Sequence, residues 1–152
     1  MHIVLVEPEI PQNTGNISRT CAVTGCALHL VHPLGFQIDD RQLKRAGLDY
    51  WPQLTLYEHE NFEEAERMLA GGRFFLCSTH GGKSYADVSY RDGDVLVFGK
   101  ETAGLPKALL ARRSDDVVRI PMRDGLRSLN LSNAVAIVAY EALRQCGFPD
   151  MH

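Results

Sequence analysis

Paired cysteines are missing from this sequence, and their absence argues against structural zinc sites and dithiol redox centres. The four cysteines stand apart, at Cys21, Cys26, Cys77 and Cys146. We expect them to be free and buried. His29 and His32 make a poor metal pair, because residues three apart on a strand point to opposite faces of the sheet. The sequence therefore predicts no metal site and partly exposed histidines at these two positions.

Long hydrophobic runs are missing as well. No apolar stretch approaches the roughly 20 residues that a membrane-spanning helix needs, and residues 1–7 lack the features of a secretory signal. We therefore expect a cytoplasmic protein with no membrane partner. The chain has 152 residues, of which 45% are hydrophobic. This length predicts a single domain over residues 1–152 with a sizeable core.

The sequence also has no excess of positive charge. Its formal net charge of −3 argues against indiscriminate binding of nucleic acid, which rests on a strong positive field, and we expect no DNA partner. Local basic clusters remain, although each alone is more typical of solvated surface than of a binding site. They are Arg41, Lys44 and Arg45; Lys83 and Arg91; Arg112 and Arg113; and Arg123 and Arg127.

Short apolar runs alternate with helical segments along the chain. Runs rich in branched and aromatic residues predict strands at His2–Glu7, Ala27–His32, Leu54–Glu58, Arg73–Thr79, Val95–Gly99 and Val117–Ile120. The segments between them predict helices at Asn13–Gly25, Asp39–Ala46, Phe62–Ala70, Pro106–Arg112 and Asn130–Gly147. This alternation indicates an α/β fold with a mostly parallel sheet and helices on both faces.

The last predicted helix is apolar around almost its whole circumference. Residues 134–139 read Ala-Val-Ala-Ile-Val-Ala, and a helix without a polar stripe is buried on all sides. In a small domain, the sheet can cover one flank and a second subunit the other, so we predict a homodimer. Burial within a single chain is the alternative.

Two common phosphate-binding signatures are incomplete. Residues 80–84 read His-Gly-Gly-Lys-Ser and imitate the end of a P-loop, but Cys77 stands where that motif needs a glycine. No G-x-G-x-x-G follows the first predicted strand, where Glu7–Gln12 stands instead, and this argues against the usual dinucleotide-binding fold. A ligand site must therefore use other residues.

One group of polar residues follows the first predicted strand. On a helix, Asn13, Asn16 and Arg19 fall within a sector of about 120°. Arg19 could bind a phosphate or a carboxylate through two charge-assisted hydrogen bonds. The alternative is a solvated helix face on which Arg19 pairs with Glu7 or Glu9.

Two further polar segments lie in the last third of the chain. Gly99–Pro106 leaves a buried strand and enters a helix; its glycines let backbone approach a ligand, and Glu101 is its one acid. Ser128 and Asn130 stand at the start of the last helix, where both are natural amino-terminal caps. Capping explains one of them, hardly both, so these segments predict a ligand site.

Together these segments resemble the SPOUT class of RNA methyltransferases. Within that class, the chain is most similar to the small enzymes that methylate the ribose of the tRNA wobble nucleotide. The resemblance covers nearly the whole chain and is carried by Glu7–Asn16, Arg45–Tyr50, Phe98–Thr102, Ile120–Met122 and Ser128–Ala134.

The resemblance implies a trefoil-knotted α/β fold, a homodimer with active sites at its interface, and S-adenosylmethionine as methyl donor, with S-adenosylhomocysteine as product. The implied substrate is the 2'-hydroxyl of nucleotide 34, a cytidine or modified uridine in the anticodon stem-loop of tRNA. The implied cofactor-binding residues are Cys77, Gly99, Glu101, Ile120 and Ser128. The implied catalytic positions are Arg19, Asn13, Ser128 and Asn130. Lys100 stands where close relatives carry proline or serine and receives no role.

The residue types suit this chemistry. Methyl transfer from a sulfonium is an in-line displacement that needs no metal, so the site must align a ribose hydroxyl and help remove its proton. A guanidinium rarely gives up its own proton. Our hypothesis is that Arg19 binds the phosphate beside the target ribose and stabilises the developing alkoxide. The ribose hydroxyl is then oriented by Asn13, Ser128 or Asn130.

Two alternatives stay open. The same fold could methylate a ribosomal or other RNA, or it could be retained in a noncatalytic RNA-binding protein. The joint presence of Asn13, Arg19, Glu101, Ser128 and Asn130 argues against a noncatalytic protein, because a disused site has no need of five polar groups.

Overall fold

A single parallel sheet organises the protein. The computed structural model describes residues 1–39 and 41–152, without the side chains of residues 44 and 47–49. The strands are β1 His2–Val6, β2 Ala27–Val31, β3 Leu56–His59, β4 Phe74–Cys77, β5 Lys83–Ser84, β6 Val95–Phe98 and β7 Val117–Arg119. They form one seven-stranded sheet in the order β3-β2-β1-β6-β4-β7-β5, and every pairing is parallel.

Helices cover both faces of this sheet. They are α1 Pro11–Thr24, α2 Arg41–Gly47, α3 Phe62–Met68, α4 Lys107–Arg112 and α5 Leu131–Gln145, with short 3₁₀ helices at Leu48–Gln53 and Ser114–Asp116. The predicted α/β fold is confirmed. The helix predicted at Asp39–Ala46 includes Asp40, which lies outside the described residues. The trefoil knot stays a prediction.

The central strands are buried on both faces because their side chains alternate between two apolar clusters. Ile3 and Leu5 of β1 face one cluster, which includes residues of α1 and α5. Val4 and Val6 face the other, which α3 and α4 cover. This alternation explains why β1 reads as a continuous hydrophobic run.

The strand order changes direction beside β1. From there the chain builds outward to β2 and β3 on one side, and the other four strands lie on the opposite side. In open parallel sheets, ligands bind at the carboxyl ends of the strands near such a reversal. The segments that follow β4, β6 and β7 all leave from this edge.

Helix α5 is only partly buried within the single chain. Val135, Val138 and Ala139 are fully buried in the chain, but Ile137 is 36% exposed and Tyr140 is 42% exposed. The alternative, burial within a single chain, is therefore wrong, because the sheet covers only one flank of this helix. The homodimer stays a prediction.

His29 also differs from its prediction. Its exposed fraction is 0%, whereas His32 lies on the surface beside Glu58. His29 stands in the middle of β2, where all five residues are buried, so partial exposure is wrong for this residue. Its Nε2 lies 3.1 Å from His2 Nδ1 and its Nδ1 lies 2.9 Å from His59 Nε2, and these contacts satisfy the buried ring.

The cysteines are free, as predicted. Cys21 and Cys26 are buried, but Cys77 and Cys146 are partly exposed, so the prediction of burial is wrong for these two residues. In the part of the chain that the structure describes, no three metal-ligating side chains are grouped to hold an ion. Within the same residues, no helix combines the length and apolar character needed to cross a bilayer.

Candidate active site

A cavity of about 860 Å³ opens where the strands of the sheet end. Its walls come from the segments that follow β4, β6 and β7 and from the starts of α1 and α5. Seven of the predicted site residues line it: Asn13, Cys77, Gly99, Glu101, Ile120, Ser128 and Asn130. Arg19 is not among the described residues that line the cavity. The structure thus unites the predicted cofactor-binding residues and separates one predicted catalytic residue from them.

The loop after β6 folds back against the strand that precedes it. A Cβ on Gly99 would lie 2.1 Å from the carbonyl carbon of Gly104 and 2.2 Å from the nitrogen of Leu105, so only glycine fits. Gly104 has φ +69°, which favours glycine, and its N–H donates to the Lys100 carbonyl at 2.9 Å. This closed loop forms one wall of the cavity.

Glu101 links that loop to the start of α1. Its carboxylate accepts hydrogen bonds from the backbone N–H of Glu9 at 2.8 Å and of Ile10 at 2.7 Å, and from the Asn13 amide at 3.2 Å. Ile10, at the amino-terminal cap of α1, has no side-chain oxygen to offer. Glu101 therefore supplies the negative charge that a helix amino terminus favours.

A second pair of contacts joins the same two segments. Glu9 Oε1 accepts from the Thr102 backbone N–H at 3.1 Å and from the Thr102 hydroxyl at 2.7 Å. These hydrogen bonds hold the pKa of Glu9 below its usual value. The loop after β6 and the chain before α1 are thus bonded in both directions.

Asn130 joins the starts of α1 and α5. Its Oδ1 caps α5 by accepting from the Ser132 N–H at 2.9 Å and the Asn133 N–H at 3.3 Å. Its Nδ2 donates to Asn13 Oδ1 at 3.0 Å. Glu101, Asn13 and Asn130 therefore form one continuous hydrogen-bonded chain across the cavity wall, which we call the amide bridge.

Ser128 lines the cavity, and its hydroxyl has no hydrogen-bond partner among the described residues. The residue is exposed. Of the two capping candidates in the sequence, Asn130 caps α5. The hydroxyl of Ser128 is therefore available to a ligand.

The wall formed by the ends of β4 and β7 is largely apolar. Cys77 and Ile120 both lie in it, together with Phe98 from β6. Burial raises the pKa of the Cys77 thiol, so this group stays protonated and neutral. A flat apolar group would be accommodated here without an opposing charge.

Arg19 lies on the surface of α1. Its Cζ is 4.9 Å from the centroid of the Tyr50 ring. The alternative pairing with an acid is not found, because Glu7 lies 3.6 Å from Lys100 Nζ and Glu9 bonds to Thr102.

Sequence reasoning missed several residues of the site. Thr79 and His80 line the cavity directly after β4, a position that the end of the predicted strand could have indicated. Lys100, which received no role, also lines it. The Glu9 and Thr102 contact had no local signal, since 93 positions separate the two residues. Lys83 of the P-loop imitation instead donates to the Asp115 carbonyl at 3.2 Å.

Known proteins share this architecture. Residues 1–140 match the SpoU rRNA Methylase family. A protein from Saccharophagus degradans named tRNA (cytidine(34)-2'-O)-methyltransferase is 52% identical over 148 residues, which cover 97% of this chain and 96% of that protein.

Among the solved structures similar to the protein, two bear on its function. One, described by the words "Structural insights into the 2-OH methylation of C/U34 on tRNA", has a TM-score of 0.91 and 49% identity, and covers 95% of this chain and 94% of that one. The other is the SpoU methyltransferase AviRb from Streptomyces viridochromogenes in complex with the cofactor AdoMet, with a TM-score of 0.84 and 27% identity over 95% of this chain and 57% of that one. The chain therefore belongs to the SpoU rRNA Methylase family, and its resemblance to the SPOUT class of methyltransferases is confirmed.

Proposed function

We propose that the protein transfers a methyl group from S-adenosylmethionine to the 2'-hydroxyl of nucleotide 34, a cytidine or modified uridine in the anticodon stem-loop of tRNA. The observation that carries this conclusion is the amide bridge of Glu101, Asn13 and Asn130, which closes one wall of a single cavity. It occurs in a chain 52% identical to a tRNA (cytidine(34)-2'-O)-methyltransferase along almost its full length.

The cavity fits an adenosyl group. A neutral thiol at Cys77, the Ile120 side chain and the glycine loop beginning at Gly99 offer an apolar surface and close backbone approach. When bound, S-adenosylmethionine supplies an electrophilic methyl carbon on its sulfonium. We assign its binding to Cys77, Gly99, Ile120 and Ser128. Glu101 is engaged by three protein donors, so we assign it the anchoring of the cofactor loop.

The remaining polar groups divide the work of alignment. Ser128 has the open hydroxyl, so we assign it the orientation of the ribose hydroxyl. The Asn13 and Asn130 amides bond to each other and hold the two helix starts at a fixed separation, which keeps reacting groups in an in-line arrangement. Arg19 keeps its positive charge. We assign it the binding of the phosphate beside the target ribose and the stabilisation of the developing alkoxide.

We propose a homodimer whose active sites lie at the subunit interface. The outward side of α5 carries exposed Ile137 and Tyr140, and α1 carries Val23, which is 50% exposed. Burying these apolar side chains against a second copy would contribute to association. Arg19 does not line the cavity of its own chain, so a site completed at the interface also gives this residue a place in the chemistry.

The basic clusters differ in how available their charges are for binding RNA. Arg112 and Arg113 lie 2.8 and 3.0 Å from Glu66, so this carboxylate partly neutralises their charges. Arg123 and Arg127 are exposed, and Arg127 lines the cavity. We therefore assign the anticodon stem-loop phosphates to this last pair, with steep salt dependence of binding. Because the substrate is tRNA, we place the protein in the cytoplasm.

Methylation of bulk RNA tests the proposed function. The protein is incubated with labelled S-adenosylmethionine and either total tRNA or ribosomal RNA, and the modified nucleoside is then mapped. We expect label in tRNA at the ribose of nucleotide 34. Label in ribosomal RNA would favour the alternative substrate, and no label in either RNA would favour a noncatalytic RNA-binding protein.

A further inference from the structure

An aromatic ring supports the guanidinium of Arg19. Tyr50, in the 3₁₀ helix Leu48–Gln53, places its ring centroid 4.9 Å from Arg19 Cζ. This distance lies within the roughly 6 Å over which a cation is attracted to the face of a ring. Tyr50 is half-buried and Arg19 is exposed, so the ring is the fixed member of the pair.

Arg19 differs from the arginines that stabilise the fold. Arg73 lies 2.7 Å from Asp94, and Arg144 lies 2.9 Å from Glu141, so a carboxylate neutralises each. Among the described residues, no carboxylate lies within ion-pair distance of Arg19. A ring restricts the long side chain without neutralising its charge or using its five N–H donors. The guanidinium is therefore held in place and still able to bind an anion.

Close packing of α1 on α2 brings the ring to this position. A Cβ on Gly15 would lie 2.4 Å from Ala46 Cβ and 2.9 Å from the Leu43 carbonyl oxygen. Glycine at this position thus lets the two helices meet almost backbone to backbone. The 3₁₀ helix that carries Tyr50 follows α2 directly, so its approach to Arg19 is set by this contact.

We propose that Tyr50 is a positioning residue for methyl transfer, acting through Arg19. Its ring orders the guanidinium so that the RNA phosphate beside the target ribose and the developing alkoxide meet a prearranged, uncompensated charge. This inference rests on the role proposed above for Arg19. It adds a residue whose own side chain takes no part in the bonds that form or break.

Steady-state kinetics of four variants test the inference. Tyr50→Leu should lower kcat about three- to thirty-fold, the range expected from losing a cation–π contact and the ordering of a long side chain, with KM for S-adenosylmethionine unchanged. Tyr50→Phe keeps the ring and should stay within about two-fold of the unmodified protein. Arg19→Met should lose most activity, and adding Tyr50→Leu to it should cause no further loss.

Controls separate the possible outcomes. Tyr57→Leu removes a half-exposed aromatic ring away from the cavity and should leave kcat unchanged; thermal melting checks that each variant is folded. If Tyr50→Leu does not fold, Tyr50→Gln replaces it. A loss in Tyr50→Phe equal to that in Tyr50→Leu, or an additive loss in the double variant, would overturn the inference. Full activity in Arg19→Met would instead refute the proposed role of Arg19, whereas an inactive Arg19→Met beside a fully active Tyr50→Leu would refute only the positioning role.

Discussion

The carboxylate of Glu101 accepts the backbone N–H of Glu9 at 2.8 Å, across 92 positions of the chain. Its second oxygen accepts the next N–H, that of Ile10, at 2.7 Å. A residue of the cavity wall thus performs for α1 the capping that the helix lacks from its own sequence. Fold stability and the shape of the site depend on the same side chain.

Replacing Glu101 should therefore weaken both properties. Glu101→Gln keeps the size but removes the charge and one acceptor, and we expect a loss of about 1–3 kcal/mol in the free energy of unfolding, together with weaker binding of S-adenosylmethionine. Urea denaturation and calorimetric titration measure the two effects. Asp87→Asn, at an exposed carboxylate outside the cavity, is the matched control. Unchanged cofactor binding in a destabilised Glu101→Gln protein would contradict the anchoring role.

Two helix caps separate stability from activity. Asn130 caps α5, and Asn61 caps α3 by accepting from the Glu64 N–H at 2.9 Å. Replacing either with alanine should cost about 1 kcal/mol of stability. Only Asn130→Ala removes the contact with Asn13, so we expect a fall in kcat for this variant alone at a temperature where both are folded. Equal activities would show that the amide bridge is not needed for alignment.

Close helix contact predicts the effect of a single added methyl group. In Gly15→Ala the new Cβ meets Ala46 and backbone atoms of α2, and overpacking of this kind costs about 1–3 kcal/mol. Gly71→Ala adds a methyl group in open space, with nothing within 4 Å, and should leave stability nearly unchanged. Thermal and urea unfolding compare the two. A Gly15→Ala protein as stable as Gly71→Ala would contradict the close packing of α1 on α2.

The stacked histidines predict acid sensitivity. Burial, with the neighbouring His2 and His59, lowers the pKa of His29 to about 3. As the pH falls below about 6.5, this histidine binds a proton in the unfolded chain but not in the folded chain. Its contribution to the free energy of unfolding is therefore fully present above that pH and is lost progressively towards pH 3. The loss from His29 alone is about 2 kcal/mol at pH 5.

Denaturation at pH 7.5 and pH 5 measures this loss. His29→Leu should have a smaller difference between the two conditions than the unmodified protein, even though its stability at pH 7.5 is lower. His152→Gln, at an exposed histidine at the end of the sequence, should keep the full difference. An unchanged pH dependence in His29→Leu would assign the acid sensitivity to other groups.

Local patterns predicted the architecture because β1, β2 and β6 are buried on both faces and consist almost entirely of apolar residues. The same reasoning missed β5, since the two residues Lys83 and Ser84 form too short a pattern. It also placed the start of α1 at Asn13, although a proline at position 11 is typical of a first helical turn and the helix begins there.

Properties that depend on distant residues could not be predicted in this way. Exposure of Ile137 depends on which flank of α5 the sheet covers, and burial of His29 depends on contacts with His2 and His59 from other strands. Seven of the predicted site residues converge on one cavity, but the sequence did not reveal that Glu101 would accept two backbone N–H groups and the Asn13 amide. Such pairings arise only when the strands and helices have assembled.

The contact between Asn13 and Asn130 bridges 117 positions. During translation, the first of these residues leaves the ribosome long before the second has been synthesised. A growing polypeptide consequently has no means of closing the cavity around its methyl donor until the beginning of α5 has emerged. Catalytic competence thus arrives late in biosynthesis, and truncated products ending before that helix are expected to be inert.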